Sequence, residues 1–296
     1  MSFGVLLAAV VAAYLIFPPF RLWALVVAGH SPVCPLAQAV KCKSNVEEKT
    51  RIKDRILAAS HLVKEESGLE LWDTPKGPFW IPKGNRYVLP FNLAEMEQHI
   101  YGSGEHFIHQ GDVVLDCGAS DGDFSRVALA AGARLVVSIE ISPSSADCIR
   151  RNLAAEIAAG RAIVYPKGVW NKDDTLTLTV DDTNFAANTV VMHPESGHPS
   201  VTVPLTTIDK LVAELKLPRV DFIKMDIEGA EVPALAGGHE TIARFKPRMA
   251  IATEHKPDDE YTIPAAIRNI RADYQMECGP CLEAKGHVRP DVLYFW

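Results

Sequence analysis

Residues 113–125 read VVLDCGASDGDFS, and the identity of the loop inside this stretch decides the fold. The apolar run VVLDC has the length of a buried strand. DFSRVALAAGA, from residue 123, has the pattern of a helix ending at Gly132. Between them, GASDG (118–122) admits two readings. It fits G-x-S-x-G, the sharp turn that carries the nucleophile of serine hydrolases. It also fits a cofactor loop between a strand and a helix that has lost one glycine.

The neighbours separate the two. Ser120, Asp226 and His255 follow the hydrolase order, but no HGGG-type oxyanion loop lies upstream, and the loop follows the first strand of the α/β region. The next strand, RLVVSIE, ends in Glu140, 18 residues after Gly122. A hydrolase has no use for that acid. In a doubly wound sheet a carboxylate about 20 residues beyond the glycine loop accepts from both ribose hydroxyls. A dinucleotide loop needs G-x-G-x-x-G, whereas these positions hold Gly118, Ser120 and Asp123, and Asp121 and Asp123 would repel a pyrophosphate. The pattern Asp116-x-Gly118-x-x-x-Gly122 suits a cofactor without phosphate and with cationic groups, S-adenosyl-L-methionine.

Strands and helices then alternate. SPSSADCIRRNLAAEIAAG is a helix opened by Ser142-Pro143, and RAIVYPKGVW is a third strand. TLTLTV, VDFIKMDIE, RMAIATEH and the terminal DVLYFW read as strands, and TTIDKLVAEL and AEVPALAGGHETIARF as helices, the latter interrupted. Such repetition predicts an α/β fold with a mostly parallel, doubly wound sheet covered on both faces.

VVLDCGASDGDFS, VVSIE, TTIDKL and VDFIKMDIEGAEVPALAGG together resemble the FkbM family of methyltransferases, over roughly residues 85–296. IKMDIEGAE is the most distinctive of these motifs. The resemblance implies a Rossmann-like class I methyltransferase that uses S-adenosylmethionine, usually to methylate hydroxyls of sugars, macrolides or other natural products. Two positions depart from it. Ser120 stands where many such loops carry glycine or asparagine, and Ile141 where proline commonly follows the acid.

Site residues follow from these motifs. Gly118 and Gly122 would let the backbone approach the cofactor, with Ala119 and Ser120 between them. Asp116 would hold the loop and, through backbone and water, the methionine end. Glu140 would bind the ribose, with Ile141 beside it, and Gly168 and Val169 would lie at the adenine edge. Asp226 and Glu228 point the same way from one strand end. Asp226 would face the sulfonium or ammonium, and Glu228 would bind the acceptor or act as base, although Glu228-Gly229-Ala230-Glu231 also reads as a plain helix start. A neutral His255 would take the hydroxyl proton. His193 and His198 receive no role. A cation on Asp226 and Glu228 would need further ligands, so no metal is expected.

The N-terminal part differs in kind. FGVLLAAVVAAYLIF (3–17) carries no charge but reaches only about 22 Å as a helix, short of the ~30 Å hydrocarbon core. LWALVVAG follows Pro18-Pro19 and Arg21, and the two pieces together (3–29) are expected to anchor the chain in a membrane as a single pass, with a re-entrant or interfacial segment as the alternative. No Lys or Arg precedes them, which counts against a cleaved signal. Lys41, Lys43 and Lys49 follow, placing the catalytic domain in the cytoplasm by charge, where free thiols would be stable. Residues 44–66 read as an amphipathic helix with Ile52, Ile56, Ala59 and Val63 on one face. A small hairpin follows, then a helix over 92–101. The expected domains are a membrane anchor (1–30), a helical and hairpin extension (31–100) and a methyltransferase domain (101–296).

Totals set limits. The 296 residues are 48% hydrophobic and 23% charged, with a net charge of −7, so a nucleic-acid partner is not expected. Six cysteines in so long a chain do not suggest a disulfide framework. Cys278-Gly-Pro-Cys281 reads as a turn, since no second pair stands at zinc spacing. The expected partner is a hydroxyl-bearing acceptor: a sugar, a glycolipid or lipid-linked sugar, or a natural product. A serine hydrolase using Ser120 and a membrane-tethered module that binds the cofactor without turnover remain as alternatives.

Overall fold

The structure, a computed structural model, describes residues 3–179 and 200–296; His193 and His198 lie outside them. The first apolar run forms α1 (Phe3–Ile16) and the second α2 (Pro18–Val27). Phe17 is extended, and the two prolines occupy the first turn of α2, where they cost no hydrogen bond. The helices meet at 105°, and no single helix among the described residues is long and apolar enough to cross a membrane. α2 lies on the domain instead, with Leu22 and Leu25 buried and Arg21 paired with Glu283.

A short α3 (Leu36–Ala39) leads into α4 (Cys42–Ala59), which buries Ile52 and Ile56 as the periodicity predicts. The helix does not continue to residue 66. Ser60 turns extended, and His61–Glu66 is strand β1, with Val63 exposed. β1, β2 (Leu69–Thr74) and β3 (Gly77–Pro82) make an antiparallel sheet of three strands where two were expected. Ser67 and Gly68 both take positive φ, the two-residue turn that matches the twist of a hairpin. α5 (Val88–Glu97) packs on α4 and begins four residues before the expected helix.

The α/β core then runs β4 (Val113–Cys117), α6 (Asp123–Ala130), β5 (Leu135–Ile139), α7 (Pro143–Asn152), α8 (Ala154–Ala158) and β6 (Ala162–Tyr165). The expected third strand is split at Pro166. Its second half, β7 (Gly168–Val169), leaves for a small sheet with β8 (Asp174–Thr179) and β9 (Ser200–Thr206). After α9 (Ile208–Glu214) come β10 (Phe222–Met225), α10 (Glu231–Ala236), α11 (His239–Phe245), β11 (Arg248–Ala252) and α12 (Asp259–Ile270). β12 (Met276–Cys278), β13 (Cys281–Ala284), β14 (His287–Pro290) and β15 (Val292–Phe295) close the chain.

The main sheet has the order β12-β15-β11-β10-β4-β5-β6. β11, β10, β4, β5 and β6 are parallel neighbours, and β15 is antiparallel to β11 and β12. β4 and β10 are buried along their whole length because helices cover both faces. The strand order reverses at β4: β5 and β6 extend to one side, β10 and β11 to the other. That is where open α/β sheets bind ligands, beyond the carboxyl ends of the strands. Register aligns Cys117 with both Met225 and Ile139, so the loops after β4, β5 and β10 leave the sheet at one level.

The expectation of free thiols fails at one pair. Cys34 and Cys281 form a disulfide across 247 residues, while Cys42, Cys117, Cys148 and Cys278 are free and buried. Gly279 and Pro280 do make the expected turn, and that turn carries Cys281 to the segment following α2.

Candidate active site

A cavity of about 690 Å³ opens at the switch point, within the roughly 300–1,000 Å³ usual for small-molecule sites. Gly118 and Ser120 reach it from the loop after β4, Glu140 and Ile141 from β5, and Asp226 and Glu228 from β10. His255, Gly168 and Val169 also line it. Of the expected site residues, Asp116, Ala119 and Gly122 do not.

Asp116 is wholly buried beneath the loop. Alternation along β4 turns it away from the cavity, toward α6, where it accepts from Ser125 Oγ at 2.6 Å and pairs with Lys224 Nζ at 3.5 Å. Lys224 in turn donates to the Gly118 carbonyl at 2.7 Å. Asp116 therefore holds the loop through Lys224, without lining the cavity itself. Burial raises the Asp116 carboxyl and lowers the Lys224 amine, but Asp116, Asp226 and Asp123 together leave Lys224 above its ordinary value.

The glycine of the loop serves packing first. A Cβ on Gly118 would lie 1.9 Å from the Asp226 carbonyl oxygen, so only glycine lets the β4 and β10 loops touch. Gly122 caps α6 with φ 86° and lies off the cavity. Ala119 is buried and donates its N–H to the Ile139 carbonyl. Gly168 keeps a slot open: a Cβ there would meet Ile141 Cδ1 and Leu205 Cδ2 at 2.6 Å.

Glu140 takes two backbone hydrogen bonds, from Ser120 N–H at 2.8 Å and from Ser142 N–H at 2.7 Å. Burial pushes its carboxyl up to about 7 against those two donors. Each oxygen keeps a second lone pair, enough for a vicinal diol. Ile141, Val169 and Leu205 add an apolar wall beside it.

The β10 end assembles differently from expectation. His255 Nε2 lies 3.4 Å from Asp226 Oδ1 and 3.6 Å from Glu228 Oε2, and Nδ1 lies 3.2 Å from Glu231 Oε1. Burial alone would lower the imidazole, but Glu231, Asp226 and Glu228 push it up to about 9. The acids around it thus favour the imidazolium, which counts against the neutral base expected. The same contacts count against the hydrolase reading, because both ring nitrogens lie against carboxylates and no hydrogen bond joins His255 to Ser120 among the described residues. Asp226 also accepts from the buried Tyr101 hydroxyl at 2.5 Å. Burial would raise Asp226, yet Lys224, His255 and Tyr101 hold it below the ordinary carboxylate range. Glu228 is raised, chiefly by burial, with His255 opposing.

Ser120 and Glu228 both sit at positive φ, 52° and 56°. Such strain in non-glycine residues costs of order 1–3 kcal/mol and gathers at functional loops. Among the described residues, ligand atoms of Glu231, His255 and Asp259 come within 4.8 Å of one another, a grouping other than the Asp226–Glu228 pair weighed from sequence.

Sequence reasoning missed Tyr101, Lys224 and Glu231. Lys224 and Glu231 stand inside IKMDIEGAE, so a buried strand lysine was the available signal. It also missed the far wall, where Tyr87, Phe91 and Glu95 from the extension face Glu254 and Asp291. Burial pushes Glu95 up to about 7, and burial together with Asp291 pushes Glu254 up to about 8.

A family model described as the methyltransferase FkbM domain matches residues 116–278. Among solved structures, the chain is similar to methyltransferase FkbM from Methylobacillus flagellatus KT, at 20% identity and a TM-score of 0.46. That alignment covers 88% of this chain and 60% of the other, so the chain spans under two thirds of that relative's length. It is also similar to precorrin-6y C5,15-methyltransferase from Geobacter metallireducens GS-15, at 13% identity and a TM-score of 0.37, covering 64% of this chain and 82% of that one. No curated protein matches the chain.

Proposed function

This chain belongs to the FkbM methyltransferase family, and on that premise we propose that it is an S-adenosylmethionine-dependent O-methyltransferase. Its acceptor is a hydroxyl of a sugar, a glycolipid or a natural product. The observation that carries this reading is convergence: Glu140, Asp226 and the Gly118–Ser120 loop come from the ends of three adjacent strands onto one cavity.

The residues present fit the cofactor. Glu140 would hold the ribose hydroxyls, and the slot between Ile141, Gly168 and Leu205 would take the adenine. The ionised Asp226 would answer the positive charge of the methionine end. When bound, the cofactor supplies the methyl group. The protein aligns an acceptor oxygen against it, and orientation supplies much of the rate. Glu228 is the base we assign: its raised carboxyl lies nearer neutrality than Asp226, and its strained backbone fixes its aim. His255, lying against both Asp226 and Glu228, offsets their mutual repulsion and favours the ionised base. Tyr87 and Phe91, exposed at the cavity with Arg86 and Lys49 each over one ring, would give a sugar or other cyclic acceptor an aromatic surface.

Calorimetric titration of S-adenosylmethionine and S-adenosylhomocysteine tests the cofactor site. Micromolar binding by the wild type, lost in Glu140→Ala and weakened in Glu140→Gln, is expected. A folded protein that binds neither compound would overturn the assignment. Formation of S-adenosylhomocysteine with a panel of hydroxylated acceptors then separates an enzyme from a binding module, and Glu228→Gln should cut turnover on the order of 100-fold with binding retained.

A further inference from the structure

The N-terminal helices carry an observation that the methyl-transfer site does not use. α1 has no charged residue, and none of its described residues is buried; only Ala13 and Tyr14, near its end, are even partly covered. Val5, Leu6 and Leu7, successive positions that point around the helix, are each more than half exposed. Leu15 and Ile16 are 70% and 79% exposed. A helix that docks in a protein groove keeps a polar face for water, whereas one apolar all round needs apolar surroundings on every side. Hydrocarbon provides them.

α2 is different on its two faces. One is locked to the domain: Leu22 and Leu25 are buried, Arg21 pairs with Glu283, and Val288 N–H donates to the His30 carbonyl at 2.8 Å. The Cys34–Cys281 disulfide pins the chain just beyond. The other face is apolar and open, with Trp23 45% and Val27 66% exposed and the Phe20 ring stacked on Trp23 at 5.7 Å. Tryptophan with an apolar body and one N–H suits the level of lipid headgroups.

We infer that the protein sits on a lipid bilayer with α1 alone in the hydrocarbon and α2 lying along the interface, its Phe20–Trp23–Val27 face toward the headgroups. The 105° bend permits both at once, because a helix nearly perpendicular to α2 enters the bilayer when α2 lies flat. This differs from a span built of both apolar pieces. That span would need α2 to leave the domain, breaking the Arg21 pair and exposing Leu22 and Leu25.

The test uses the full chain with phosphatidylcholine vesicles. Flotation with the vesicles is expected, and Leu7→Asp with Val11→Asp should cut the floated fraction roughly tenfold or more. The double variant should keep the wild-type unfolding temperature, since α1 adds nothing to the core. Depth is read by fluorescence quenching. Trp23, isolated by difference against Trp23→Phe, should be quenched by lipids brominated near the headgroup and little by lipids brominated near the chain ends. A tryptophan placed by Leu7→Trp should show the reverse. Deep quenching of Trp23 would overturn the inference in favour of the two-piece span. Absence of flotation would overturn it in favour of a protein partner, with a second copy detected as a dimer by light scattering.

Discussion

Glu140 is held from two sides before any ligand arrives. Its oxygens anchor the β4 loop at Ser120 and the start of α7 at Ser142, so the carboxylate proposed to hold the ribose is fixed in place by the backbone. Glu140→Ala should therefore weaken S-adenosylhomocysteine binding about 100-fold, the loss of two charge-assisted hydrogen bonds at roughly 1.5 kcal/mol each. Equal affinities in the titration would refute the assignment. His255 gives a pH prediction. Its folded value of about 9 lies above the ordinary 6.5, so its contribution to stability is complete below pH 6.5 and is lost as pH rises through about 9. The shift corresponds to as much as roughly 3 kcal/mol. Unfolding temperature measured from pH 6 to 9.5 should fall in the wild type and fall less in His255→Gln; parallel curves would show that the carboxylates do not hold the ring. Glu140 was legible because its distance from the loop is fixed by one β-α-β unit. The charge on His255 was not, because Asp226, Glu228 and Glu231 reach it from the far side of β10, a neighbour only in the folded sheet.

The strands set the limits of the site. β4 and β10 touch through their loops only because position 118 lacks a side chain, and its φ of +78° also favours glycine. Gly118→Ala should displace the Asp226 loop, lowering the unfolding midpoint and removing cofactor binding; a variant that bound normally would show the contact to be loose. Beneath the loop, Lys224→Met leaves Asp116 buried without its cation, a change that costs about 3–5 kcal/mol and is read by denaturant unfolding. β4, β5, β10, β11 and β15 were legible as apolar runs punctuated by glycine or charge. β1 was misread because HLVKEE continues a charged helical pattern, and only pairing with β2 across Ser67-Gly68 makes it a strand. β6 and β7 were joined because Pro166 was taken as part of a strand, whereas it ends one sheet before Gly168 enters another.

At the scale of the molecule, the chain closes on itself. Segments near its two ends meet where α2 and the Cys34 segment pack on β13 and β14, and the disulfide there spans most of the sequence. No spacing rule could pair cysteines 247 residues apart, so this contact was illegible until the fold brought it together. A cross-link over so long a loop removes conformational freedom from the unfolded chain, at about 2–4 kcal/mol of stability. Cys34→Ser should lower the unfolding midpoint by that amount, reductant should lower the wild type equally, and reductant should leave the variant unchanged. An effect of reductant on the variant would place the sensitivity elsewhere. The bond also bears on where the domain works. Lys41, Lys43 and Lys49 argue for the cytoplasm by the charge rule, but that rule orients crossing helices, and a disulfide persists in oxidising compartments. Alkylating free thiols at the moment of cell lysis, then weighing the intact protein, decides between them. The structure leads us to expect four alkyl groups, on Cys42, Cys117, Cys148 and Cys278 once denatured, with Cys34 and Cys281 protected as a pair. Six would mean that the thiols meet in the fold but stay reduced, and that the catalytic domain faces the cytoplasm as its charges suggest.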